Sequence, residues 1–410
     1  MLNTPIPLLD LQAQYLSIKK EVDASIHEVL DSQHFIMGDS VKNFENEVNR
    51  YTKANHSLGC ASGSDALLLA LMAIDIEPGD YVITSPFTFF ATAGAISRLG
   101  AIPIFIDIEH DSFNIDPEKI REFLEGKSGL AKKLQIPIEK IKAIIPVHLY
   151  GQMADMDPIM EIAKEHDLFV IEDAAQSIGS KYKGKDAGTI GDFGCFSFFP
   201  SKNLGAYGDG GLITVKNDAL AEKTNILRLH GAKPKYHHKY VGINSRLDAI
   251  QAAVLSIKLK YLNEWSQRRN EIAHLYNSLF QESGLVSEYE GCSECSSLAS
   301  CEFPDGKIVL PKETTGAPEE NGFHIYHQYT IRVKNRDSLS EFLDSEKIGN
   351  AVYYPVPLHV QECFSDLGYE AGDCPNAVCA SRTAISLPIF PELADEQVKE
   401  VARKITQFMS

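Results

Sequence analysis

Two ionisable side chains stand where two apolar runs stop. Leu168-Phe169-Val170-Ile171 reads as a strand that ends at Glu172 and Asp173. Phe193 to Phe199 reads as a second, ending just before Pro200-Ser201-Lys202-Asn203 and a glycine-rich loop that runs to Gly211. In parallel α/β sheets, reactive groups gather beyond the carboxyl ends of the strands. Asp173 and Lys202 both fall there. An amine able to condense with an aldehyde, beside an acid able to keep a pyridine nitrogen protonated, suits a pyridoxal phosphate site. The plain alternative is an ordinary α/β domain with a solvated lysine.

The elements around this pair must bring the two strand ends together. Strand signals at 58–61, 81–84, 102–108, 141–147 and 168–171, with helical signals between them, predict a mostly parallel sheet. Residues 13–31 and 41–52 have helical spacing, the latter with Phe44, Val48 and Tyr51 on one face. Ser62-Gly63-Ser64-Asp65 opens the apolar helix Ala66 to Ile74. Small residues at such a turn leave backbone N–H groups at the positive end of a helix dipole, where a phosphate can sit. Taken alone, Ser64 reads first as a simple N-cap. Leu247, Ile250, Val254, Ile257 and Tyr261 line one face of a long connecting helix. Beyond it come strands near 329–333, 352–354 and 385–387 and helices at 336–346 and 394–409. A chain of 410 residues is expected to split into two domains. We place them at 1–255 and 256–410, with a polar surface insertion around 285–321.

The formal charge of −17 argues against nucleic acid and anionic membrane as general partners. No apolar run approaches the length of a membrane span. Without a basic and apolar leader at its start, the chain is expected in the cytoplasm. Cys292, Cys295 and Cys301 have the spacing of half a zinc site, but no second C-x-x-C accompanies them. His324 and His327 are closer together than a zinc-finger histidine pair. We read the cysteines as free thiols in a surface loop and expect no metal.

EDAAQ at 172–176 and SFFPSKNLGAYGDGG at 197–211 resemble the fold-type I pyridoxal phosphate enzymes, in particular the nucleotide-sugar aminotransferases (the DegT/StrS group). The resemblance extends from Ile6-Pro7-Leu8-Leu9-Asp10-Leu11 to Leu387-Pro388-Ile389-Phe390-Pro391. It implies a large α/β/α domain with a mostly parallel sheet and a smaller α+β C-terminal domain. It also implies roles for residues. Lys202 carries the cofactor as a Schiff base and then moves protons, while Asp173 holds the pyridine nitrogen. Ser64, the backbone N–H of Asp65, and Ser197 hold the phosphate. Phe89 stacks on the ring, whereas Phe87 and Phe90 read as core. Gln176 reaches the phenolic oxygen, one turn beyond Asp173 if a helix starts there, and His148 supports the pocket. The hairpin within 228–251 reaches the site of a partner subunit, where Asn244 meets the cofactor phosphate, so a homodimer with shared active sites is expected.

Arg228, Lys233, Lys235, His237, His238 and Lys239 form a basic cluster, either a solvated hairpin or an electropositive arm over a pyrophosphate or sugar acid. Arg228, His237 and His238 are its substrate candidates. Met37, in the turn Phe35–Gly38, resembles a substrate-facing loop. His327, Gln328, Tyr354 and His359 match substrate-side positions, with core or surface roles as the alternative. The implied activity is amino transfer from L-glutamate to a nucleotide-linked keto-sugar. Lys202-Asn203-Leu204-Gly205-Ala206-Tyr207-Gly208-Asp209-Gly210-Gly211 resembles the loop of 3-keto enzymes. That favours a UDP-linked, N-acetylated or uronic 3-keto hexose feeding surface polysaccharide or lipopolysaccharide synthesis. The alternatives are a 4-keto or dTDP-linked substrate, or a regulatory cofactor-binding protein. A sugar dehydratase of the same fold would carry histidine in place of Lys202.

Overall fold

The alternating apolar runs become a seven-stranded sheet in the computed structural model, which describes residues 5–292, 303–304, 306–314 and 322–410. Its strands are β1 (His56–Cys60), β2 (Tyr81–Thr84), β3 (Ile102–Phe105), β4 (Ile141–Ile145), β5 (Phe169–Asp173), β8 (Phe193–Ser197) and β9 (Gly211–Val215), and a two-stranded ribbon, β6 (Lys181–Tyr182) and β7 (Lys185–Asp186), lies between β5 and β8 in sequence. They lie in the order β1-β9-β8-β5-β4-β2-β3. β3, β2, β4, β5 and β8 pair in parallel; β9 alone runs against them, antiparallel to both β8 and β1. Every residue of β9 is buried, and so are four of five in β5 and in β8. Helices on both faces explain why these strands read as continuous apolar runs rather than as alternating ones.

This topology brings six strand carboxyl ends to one edge, and two glycines let the next element close upon it. A Cβ on Gly63 would lie 2.6 Å from the Ser197 Cβ. One on Gly211 would lie 2.4 Å from the backbone carbonyl of Ser62. The helix Gly63–Ala73 therefore starts directly against the ends of β8 and β9.

The expected long helix is two helices, Ala249–Leu259 and Leu262–Glu282, parted at Lys260 and Tyr261. The break hands the chain from one core to another. Ala252, Leu255, Leu259 and Leu262 pack in the core of the large sheet. Ile272, Ala273, Tyr276 and Phe280 pack in a second core with β10 (Tyr329–Arg332), β11 (Ala384–Leu387) and the helix Asp395–Met409. β10 and β11 are antiparallel. The strand expected at 352–354 does not form; Ala351 alone bridges Ser386. Pro355 and Pro357 lack the N–H groups that a ladder needs.

Cys292 is disulfide-bonded, so the free-thiol reading does not hold for it; Cys295 and Cys301 lie outside the described residues. Among the described residues no cluster of His, Cys, Asp and Glu is placed to hold a metal, and no helix is long and apolar enough to cross a membrane.

Candidate active site

A cavity of about 610 Å³ opens at the carboxyl edge of the sheet. Asp173, the last residue of β5, and Lys202, from the loop after β8, both line it. The Lys202 loop is pinned along its length. Lys202 N–H donates to Phe199 O (2.8 Å), Ala206 N–H to Phe198 O (2.8 Å) and Phe198 N–H to Gly210 O (2.8 Å). The buried Lys258 donates from Nζ to Gly205 O at 2.7 Å.

The electrostatics of the pair follow from burial. Burial pulls the Lys202 amine down to about 8, against the opposing pull of Asp173. A neutral, nucleophilic amine is thus accessible near physiological pH. Burial pushes the Asp173 carboxyl up, and four groups oppose it: Thr92, the Ala175 N–H, Lys202 and His148. Thr92 Oγ1 donates to Asp173 Oδ2 at 2.7 Å, and Ala175 N–H donates to Oδ1 at 3.3 Å. The neighbouring Glu172 faces the other way. It accepts from the N–H groups of Gly188, Ile190 and Gly191 and from His148 Nε2 (2.8 Å). Ala154 N–H donates to His148 Nδ1, which leaves the ring proton on Nε2. His148 is therefore a buried strut behind β5.

Ser64, Phe89, Gln176, Ser197, His327 and Tyr354 also line the cavity. Phe89 is 58% exposed while Phe87 is packed away, so Phe89 is the ring offered to the cavity. Phe90 is half-exposed and stacks on Phe364 instead of entering the core. Gln176 sits on a turn and not on a helix. Its Oε1 accepts from Tyr150 N–H (2.7 Å) and its Nε2 donates to Tyr354 Oη (3.2 Å). His327 Nδ1 is buried without a partner.

Other candidates lie elsewhere. The Asp65 N–H, expected on a phosphate, donates instead to Ser62 Oγ at 3.1 Å, because Ser62 is the N-cap. The orphan donors of that helix end are then the N–H groups of Gly63 and Ser64. Arg228 is buried off the cavity, with its guanidinium on Glu45 (2.6 Å), Gly59 O (2.6 Å) and Asn225 (2.9 Å); this is a structural ion pair. His359 is buried away from the cavity, with neither ring nitrogen hydrogen-bonded. Met37, His237, His238 and Asn244 are likewise off the cavity of their own chain.

Two contributors escaped the sequence reading. Ser62 is signalled by its S-x-x-D spacing to Asp65, a capping pattern. Thr92 carries no local signal, since its partner Asp173 is remote in sequence.

The residues present fit pyridoxal phosphate. Gly63 and Ser64 offer backbone donors at a helix N-terminus, held against Ser197 by the missing Cβ of Gly63. An amine, a buried carboxylate and an exposed aromatic face open on the same space.

The profile of the DegT/DnrJ/EryC1/StrS aminotransferase family matches residues 16–304 and 305–406. The chain is 47% identical to the pleiotropic regulatory protein of Geobacillus stearothermophilus, over 98% of each. It is 38% identical to the UDP-N-acetyl-3-dehydro-alpha-D-glucosamine 3-aminotransferase of Acidithiobacillus ferrooxidans, over 98% of each. With the dTDP-3-amino-3,4,6-trideoxy-alpha-D-glucose transaminase of Streptomyces venezuelae it shares 36%, over 98% of this chain and 96% of the relative. Among solved structures, DesV of S. venezuelae superposes with a TM-score of 0.86 at 35% identity, over 100% of this chain and 99% of that one. NtdA of Bacillus subtilis, with bound cofactor PMP, gives 0.82 at 27%, over 100% and 86%.

Proposed function

Because the chain belongs to the DegT/DnrJ/EryC1/StrS aminotransferase family, we propose that it moves an amino group from L-glutamate to C3 of a UDP-linked 3-keto hexose, N-acetylated or uronic. It is a pyridoxal phosphate-dependent sugar aminotransferase acting on nucleotide-linked keto-sugars. The observation that carries the chemistry is the Lys202–Asp173 pair on one cavity. The choice of sugar leans on the Lys202–Gly211 loop and on the likeness to the Acidithiobacillus enzyme. The Geobacillus relative bears a regulatory name, but the full set of reactive groups here favours catalysis. We place the reaction in the cytoplasm, feeding surface polysaccharide or lipopolysaccharide synthesis.

When bound, the cofactor supplies an aldehyde carbon that takes the amine and a ring that takes up electrons. Gly63, Ser64 and Ser197 would hold its phosphate, and Phe89 its ring face. Asp173 would keep a proton on the ring nitrogen. Lys202 Nζ, once free, would take and return the proton that moves during transfer. The test incubates enzyme and glutamate with UDP- and dTDP-linked 3-keto and 4-keto sugars, with products read by NMR of the ring protons. A 3-amino UDP-sugar is expected. A 4-amino product alone would sink the C3 assignment and leave the transferase standing.

We also propose a homodimer with shared sites. The arm carrying Asn244 ends in exposed apolar groups, with Tyr236 79% and Val241 92% exposed. Phe89 and Phe199, beside the cavity, are exposed too. A second copy placing its arm over this mouth would cover both. Asn244→Ala is expected to weaken cofactor retention by about 1.5–3 kcal/mol, the worth of one charge-assisted contact. A native-mass measurement that finds an active monomer would refute the arrangement.

A further inference from the structure

A smaller cavity, of about 110 Å³, adjoins the main one and shares Ser201, His327, Gln328 and Tyr353 with it. Arg269 lines this side chamber and not the main one. The side chain comes from the helix Leu262–Glu282 and is 3% exposed. Nη1 is held by two backbone carbonyls, Ile389 O (2.7 Å) and His327 O (3.3 Å). Nε and Nη2 have no hydrogen-bond partner among the described residues, and no carboxylate lies within ion-pair distance of the guanidinium. Burial lowers Arg269 to about 10, and Glu392 opposes this from farther off. Two more polar atoms of the same chamber lack partners: His327 Nδ1, and Gln328 Oε1, an acceptor suited to an ammonium or hydroxyl group.

A buried cation without a counter-charge is costly, and the fork of a guanidinium matches the two oxygens of a carboxylate. The chamber joins the space that holds Lys202, and the fields of both Lys202 and Arg269 act on His327. We infer that Arg269 and the unpartnered edge of His327 form a carboxylate subsite that seats the amino donor, an α-amino acid, beside Lys202. This rests on the aminotransferase reading for its ligand. It adds a place for the donor's carboxylate that the basic arm does not supply.

The holoenzyme is tested with glutarate, a dicarboxylate without an amine, by calorimetry, and with glutamate by steady-state kinetics. Arg269→Gln is expected to weaken glutarate binding about tenfold to hundredfold, the value of a charge-assisted contact. The KM for glutamate should rise in step while that for the nucleotide sugar stays within about twofold. Arg269→Lys should recover part of the loss, since the charge remains without the fork. Unchanged glutarate binding in Arg269→Gln, or a rise confined to the sugar's KM, would overturn the subsite. Where Arg269→Gln does not fold, the parent holoenzyme decides. Glutarate should compete with glutamate and neutral dimethyl glutarate should not; equal competition by the diester overturns the proposal. Arg269-dependent glutarate binding in a protein that performs no transamination would keep the subsite and remove the aminotransferase reading instead.

Discussion

Lys202→Ala should lower transamination by about 10²–10⁴-fold or more, the usual worth of a positioned proton-transfer group, and here the covalent anchor goes too. The variant should still retain cofactor through Gly63, Ser64 and Ser197, because those donors do not depend on the lysine. Borohydride should fix cofactor onto the parent chain at Lys202 and onto nothing in the variant. A pH signature accompanies this. Burial holds the amine near about 8, well under the ~10.4 of a free lysine. Below that value it carries a proton and has no lone pair to offer. Attachment of added cofactor to the apoprotein should therefore speed up as pH rises and level off above about 8. Near-parent turnover in Lys202→Ala, or attachment still climbing toward pH ~10, would show the lysine to be misassigned.

Asp173→Asn is expected to lower turnover by about 10²–10³-fold, the scale of one preorganised electrostatic group at a reacting centre. The side chain keeps its size, and an amide oxygen can still accept from Thr92 or from the Ala175 N–H. What disappears is the negative charge that would hold a proton on the pyridine nitrogen. Cofactor content by absorbance should stay close to that of the parent, separating a chemical defect from a binding one. Thr92→Val removes the 2.7 Å donor to Oδ2 while leaving the charge, so its loss should be much smaller. Equal defects in the two variants would mean that the position of the carboxylate matters and its charge does not.

The chemistry was legible in the chain because its carriers are local. Asp173 and Lys202 sit at the ends of apolar runs, and strand endings are written in neighbouring residues. The same holds for the Ser62–Asp65 turn and for the parallel sheet, each marked by spacing within a few positions, whereas Phe89 was singled out only by the family resemblance. One misreading arose where partners are distant, and another from a local cap. Arg228 looks like part of a basic arm until Glu45 and the Gly59 carbonyl, far away in sequence, claim its donors. Asp65 lost its expected phosphate contact to a capping bond three residues back, a detail of helix register rather than composition. Gln176 keeps its place in the cavity on a turn, since Asp173 and Gln176 are brought in by the end of β5 and no helix is needed.

The cationic chamber of Arg269 was wholly invisible in sequence. An arginine in an amphipathic helix reads as surface, and only packing against Ile389 and His327 shows it to be buried. Residue types and strand endings thus pointed to pyridoxal phosphate chemistry, and the resemblance of the motifs to a family pointed to sugar amino transfer. Tertiary structure decided which polar groups remain unpaired to perform it, because pairing depends on the nearest neighbours in space, and folding brings those from remote parts of the chain.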